Sequence, residues 1–164
     1  MSKPPIVDVS FENLPTDYLD RHEILVDVFG RYLLWARDES LGRMKKLVES
    51  DAERDSLGRL FREVYEEVAK LTPEDRERAY RLAEHTVSAF ARMFLTMISG
   101  EGYDDPLGSR HVFRYRLQME VCDAESGKVV FEETINRGGK RFFPDYFGRW
   151  MNRFAVSGLL KGDE

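Results

Sequence analysis

At 164 residues the chain fits one domain and is large enough to bury a core without a covalent staple. Hydrophobic residues make up 42% and charged residues 34%, a balance that excludes disorder of the whole chain. A formal net charge of −5 argues against a general polyanion binder, because such affinity comes from cations that neutralise phosphates.

Cys122 is the single cysteine, so an intramolecular disulfide is ruled out. The opening "MSKPPIVDVS" has no apolar run of the signal-peptide kind, and a cytoplasmic location is the expectation. The most apolar stretch, 86–99, carries Arg92 and falls short of the ~20 residues a membrane span requires, so no membrane association is expected.

In chain order, "IVDVSFE" (6–12) alternates Val7, Val9 and Phe11 with Asp8, Ser10 and Glu12, the period of a half-buried strand. Asn13, Leu14 and Pro15 end it, and Thr16 or Asp17 can cap a helix. Between Tyr18 and Ala36, Leu25, Val28, Phe29, Tyr32, Trp35 and Ala36 recur at helical spacing. Gly30 interrupts that helix at a cost of ~1 kcal/mol relative to Ala. "RDESLG" (37–42) predicts a kink, after which Leu41, Met44 and Val48 form a short second helix.

"SDAE" (50–53) has capping-box spacing and predicts a helix from Asp51, with the apolar stripe Leu57, Leu60, Phe61, Val64, Val68 and Leu71. Arg59 with Glu63, Arg62 with Glu66, and Glu66 with Lys70 suit its solvated face. "TPED" (72–75) marks a new start, with Thr72 as cap and Pro73 in the first turn, for a helix running to Ser99. Phe90, Met93, Phe94, Leu95, Met97 and Ile98 cover most of its circumference, which places this helix at the centre of the core.

Residues 100–110 read as a loop. "HVFRYRLQMEV" (111–121) alternates, "CDAESGK" supplies a turn with Gly127 suited to the left-handed region, and "VVFEETI" (129–135) returns as the second strand of a hairpin. Phe147, Trp150, Met151 and Phe154 then recur at helical spacing, predicting a last amphipathic helix from near Pro144. The expected fold class is α+β over residues 1–164. It comprises a helical layer of three to four helices on a small antiparallel sheet (N-terminal strand plus hairpin) and a closing C-terminal helix.

The segment "RGGKRFFPDYFGRW" (137–150) concentrates cations, aromatics and glycines, and from Arg137 onward six Lys/Arg stand against three Asp/Glu. Arg137, Lys140, Arg141 and Arg149 are candidate partner-binding residues, with Phe142 and Phe143 able to stack on bases or fill an interface. Arg114 and Arg116, on one strand face, are candidates for a basic ridge. The plainer reading makes the glycines a turn, leaves the cations solvated and uses the aromatics to staple the last helix to the sheet. No "GxxxxGK[ST]" or "GxGxxG" occurs.

His22 near Asp17, Asp20 and Glu23, and His85 beside Glu84, offer metal donors, yet "HxxxH", "HExxH" and "ExxH" are absent, so no metal site is expected. Cys122 lies beside Asp123 and Glu125, which hold a thiol protonated rather than activate it. No cofactor is indicated, and the chain leans away from catalysis.

The leading expectation is a non-enzymatic protein–protein interaction module: an inhibitor, an immunity-type or adaptor protein, or an oligomeric scaffold component. Its partner would be another protein or a second copy. The first alternative is a nucleic-acid or polyanion binder acting through residues 137–153. The second is an enzyme with a pocket between helices and sheet, metal-assisted through His22 and His85.

Overall fold

The computed structural model describes residues 9–99, 105–106 and 112–156. Five helices run in order: α1 (Tyr18–Glu49), α2 (Asp51–Arg54), α3 (Arg59–Ala69), α4 (Pro73–Ser99) and α5 (Tyr146–Phe154). Between α4 and α5 come β1 (Asp105–Pro106) paired with β2 (Val112–Phe113), and the hairpin of β3 (Gln118–Cys122) with β4 (Val129–Thr134). Both pairs are antiparallel, and the hairpin carries a bulge between Val121 and Cys122. The α+β class, with its small sheet and closing C-terminal helix, stands.

The N-terminal strand is not present among the described residues. Residues 6–8 lie outside them, and Phe11–Asn13 form a 3₁₀ turn closed by Asn13 N–H to Ser10 O (3.1 Å) and Leu14 N–H to Phe11 O (3.2 Å). The Phe11 ring nevertheless reaches the hairpin, with its centroid 5.8 Å from that of Phe131.

Helix α1 is the element around which the others assemble. Asp17 caps it by accepting from Asp20 N–H at 3.0 Å. The kink expected at 37–42 is absent, because Arg37 and Asp38 belong to a buried polar layer that the continuous helix carries. Arg37 donates to Asp38, to Ser88 Oγ (3.0 Å) and to Glu84 (2.6 Å), tying α1 to α4, and Asp38 accepts from Val156 N–H (2.9 Å). A buried guanidinium that is fully partnered is tolerated within a continuous helix.

That layer separates two apolar clusters. The larger joins Leu25, Val26 and Leu34 of α1 to Leu95 and Ile98 of α4, to Ile135, and to Phe143, Tyr146, Phe147 and Trp150. The smaller joins Leu41 and Val48 of α1 to Tyr80 of α4, with Tyr65, Val68 and Ala69 of α3 against it. Burial, with help from the nearby Glu49 carboxylate, pushes the Tyr80 hydroxyl up to about 12.

The helix expected from Asp51 is broken in two. Ser50 does cap α2, accepting from Glu53 N–H at 3.4 Å, but buried Arg54 turns back onto the end of α1. It donates to Leu47 O (2.8 Å) and Val48 O (2.6 Å), satisfying carbonyls that a helix end leaves open. Gly58 then starts α3. At the next junction Thr72 caps α4 through Asp75 N–H (3.2 Å), while Arg76 covers the Ala69 carbonyl at the end of α3 (2.8 Å).

Asn136 locks the hairpin to the helices. Its side chain accepts from Leu117 N–H (2.9 Å) and donates to the carbonyls of Ile98 and Tyr115. In the hairpin turn, Gly127 adopts φ 68°, as its place in the sequence predicts, and Asp123 accepts from Ser126 N–H at 2.7 Å.

Candidate functional site

The basic-aromatic segment turns mostly inward. Gly138 takes φ 79°, a region glycine enters without steric cost. A Cβ on Gly139 would lie 2.8 Å from the Tyr146 hydroxyl and 2.9 Å from the His22 ring. The two glycines therefore thread the chain tightly past α1 before Phe143–Asp145 form a 3₁₀ turn into α5.

Three rings of this segment then close on α1. Trp150 is fully buried, stacked on Tyr146 at 6.0 Å and edge-on to Phe29 and Phe143 at 5.9 and 6.0 Å. Gly30 has its explanation here, since a Cβ at that position would overlap the indole.

The cations of this segment meet acids on α1. Asp20, Glu23 and Asp27 recur at three and four, so they share one helix face. Lys140 pairs with Asp20 (2.8 Å), Arg149 with Glu23 (2.6 Å) and with Asp27, and Arg153 with Asp27. Trp150 Nε1–H adds a bond to Asp27 at 3.1 Å, and the Arg149 guanidinium lies 4.6 Å from the Tyr146 ring centre. Burial opposes ionisation of Glu23, but hydrogen bonds from Tyr146 and Arg149 outweigh it and hold the carboxyl below its ordinary value. Burial, with the same carboxylate nearby, raises the Tyr146 hydroxyl well above the usual tyrosine range.

The candidate residues thus separate. Phe143 is buried and Arg149 half-buried in this network, Phe142 is half-buried, and Lys140 and Arg141 are exposed. Arg137 is half-buried, with Nε and Nη2 lacking a hydrogen-bond partner. Arg114 and Arg116 are exposed and precede β3 rather than lying in it. On the hairpin, Glu132 accepts from Gln118 (2.6 Å) and stands directly opposite Glu120.

His22 is buried, and its Nδ1 donates to Glu133 (2.9 Å), a carboxylate that also accepts from Arg21 (2.9 Å). His85 lies exposed on α4. Among the described residues, no group of three or more His, Cys, Asp or Glu is arranged to hold a metal ion. A cleft of about 160 Å³ between α1 and α5, lined by Ile24, Asp27, Val28, Arg31, Arg153 and Phe154 among others, is smaller than the ~300 Å³ at which small-molecule pockets usually begin. No described helix is long and apolar enough to cross a membrane.

The surface that sequence reasoning placed inside lies on α3 and α4. On α4, Tyr80, Ala91, Leu95 and Ile98 are buried, but Leu82, Phe90 and Met93 are 66%, 70% and 73% exposed, with Met97 at 44%. At about 100° per residue, this outer stripe is turned roughly 140° from the buried one, so α4 has two apolar faces and only one is covered. No residue of α3 is buried. Phe61 shares a side with Tyr65 and Val68, which rest on the smaller cluster, yet it is 66% exposed, and Leu60 beside it 75%. Helix α3 overhangs the core at its first turn. The signal for this surface was present as an α4 too apolar around its circumference, but periodicity cannot reveal how many neighbours a helix has.

No family model, no curated protein and no solved structure matches this chain.

Proposed function

We propose that the chain is a non-enzymatic protein–protein interaction module whose contact surface is the outer apolar face of α4 with the overhanging start of α3. The observation that carries this reading is the outer stripe of α4, with Leu82, Phe90 and Met93 each about two-thirds or more in water. Large apolar residues scattered singly are ordinary on a protein surface, but a contiguous stripe of them marks a contact site. Met and Phe are also side-chain types enriched at the centres of interfaces.

The polyanion alternative draws less support, because Lys140, Arg149 and Arg153 already neutralise carboxylates of α1. A groove tracking a phosphate backbone needs cations with free charge to give. An inhibitor, an adaptor and a scaffold subunit all fit the apolar surface equally.

Photo-crosslinking in cells tests the reading. A benzoylphenylalanine placed at position 93 is expected to yield a discrete adduct with a protein, and the same group at exposed Glu125 on the hairpin turn is expected to yield none. Equal, diffuse labelling from both positions, or none from 93, would count against an interface on α4.

A further inference from the structure

We propose that the occupant of the α4 stripe is a second copy of this chain, docked with its own α4 antiparallel and the two-fold axis passing between Ala89 and Phe90. This rests on the reading of α4 as a contact surface and adds the identity of the partner.

The stripe Ala79, Leu82, Thr86, Phe90, Met93 and Met97 recurs at steps of three and four, the repeat that lets two helices interlock along a seam. No charged residue interrupts it. Arg92, the one Lys, Arg, Asp or Glu in 86–99, projects about 120° away from the midline of the stripe at 100° per residue.

The order of sizes is self-complementary. Running antiparallel about a centre between 89 and 90, Leu82 faces Met97 of the other copy, Thr86 faces Met93, and the small Ala89 receives Phe90. Each contact is made twice by symmetry, as a closed two-fold interface requires. In a parallel pairing the bulky Phe90 and Met93 would each meet themselves.

The area is also of the right order. At roughly 200 Å² for a fully exposed large apolar residue, Leu82, Phe90, Met93 and Met97 together present on the order of 500 Å². Two copies would cover about 1,000 Å², the size of weak, transient interfaces, which implies a dimer that dissociates on dilution.

Sedimentation of the full chain reads the mass, and cysteine crosslinking reads the register. With concentration, the mass is expected to rise from 19.2 kDa towards twice that value, while Met93→Glu stays at the single mass throughout. Met97→Glu serves as a second variant should Met93→Glu lose its helical circular dichroism. In a Cys122→Ser background, Ala89→Cys is expected to join two copies through a short bismaleimide. Ala79→Cys is expected not to, because antiparallel helices hold its two copies about 30 Å apart along the axis. Crosslinking of both cysteines would mean parallel helices and overturn the proposal. A single mass at every concentration would also overturn it. In that event a photo-adduct from position 93 with a different protein leaves the interaction-module reading standing, whereas no adduct removes both.

Discussion

Helices α4 and α5 are both amphipathic and both rest on α1, but they finish their apolar surfaces in opposite ways. In α5, Tyr146, Phe147 and Trp150 are all buried, and the cations beside them are matched to Glu23 and Asp27. In α4, one apolar face is covered and the second lies in water. Apolar content therefore does not decide burial in this chain. The number of neighbouring elements does, and among the described residues α4 has too few to cover its second face.

The largest effect that separates these regions is expected from two truncations. Trp150→Ala should lower the stability by about 3–5 kcal/mol, because it empties the centre of the larger cluster. Phe90→Ala, measured in dilute urea titrations where no partner is present, should change it by no more than about 0.5 kcal/mol. Comparable losses from both would mean that α4 is enclosed after all.

Next in size is Gly30→Ala. Its methyl group would overlap the Trp150 indole and force α5 off α1, at a cost of about 2–3 kcal/mol that is visible as a lower urea midpoint. A neutral or stabilising result, as helix propensity alone would give, would show that α5 packs loosely.

The polar side of the same contact is tested by Glu23→Gln, expected to cost about 1–2 kcal/mol near neutral pH by weakening the bonds from Tyr146 and Arg149. Because the Glu23 carboxyl is held below its ordinary value in the folded protein, its contribution is complete above the unfolded carboxylate range. It is lost as the pH falls through the lower folded value. Denaturation curves of the wild type and Glu23→Gln should therefore converge in acid, and a constant gap between them would contradict this account.

The smallest effect belongs to the hairpin, where Glu120 and Glu132 face each other on an exposed surface. Glu120→Lys should stabilise by about 0.2–1 kcal/mol, an effect reduced by added salt.

Local features of this fold were legible because their causes are local. Asp17, Ser50 and Thr72 cap the helices they precede, Gly127 turns the hairpin, and helix spacing after Pro144 marks α5. What misled is non-local. "RDESLG" looks like a break because Arg37 and Asp38 are charged, and only the approach of Glu84 and Ser88 makes them part of a buried layer. The cations at 140, 149 and 153 look free because their partners lie more than 100 residues earlier. The alternation of Val7, Val9 and Phe11 suited a strand, but Phe11 ends in a 3₁₀ turn held by Ser10 O. For the candidate site the same limit applied in reverse: Phe90 and Met93 were read correctly as apolar and wrongly as enclosed.

Methionine oxidation offers the most direct measurement of whether the outer face of α4 is a contact surface. Met93 and Met97 stand in water on that face, while Met119 and Met151 sit partly buried against the larger cluster. Brief peroxide treatment followed by mass spectrometry compares their rates in dilute purified protein with those in concentrated protein and in whole cells. Met93 and Met97 are expected to oxidise fastest when dilute and to be selectively protected in the other two conditions, with Met119 and Met151 unchanged. Equal rates for Met93 under all three conditions would mean that nothing covers this surface.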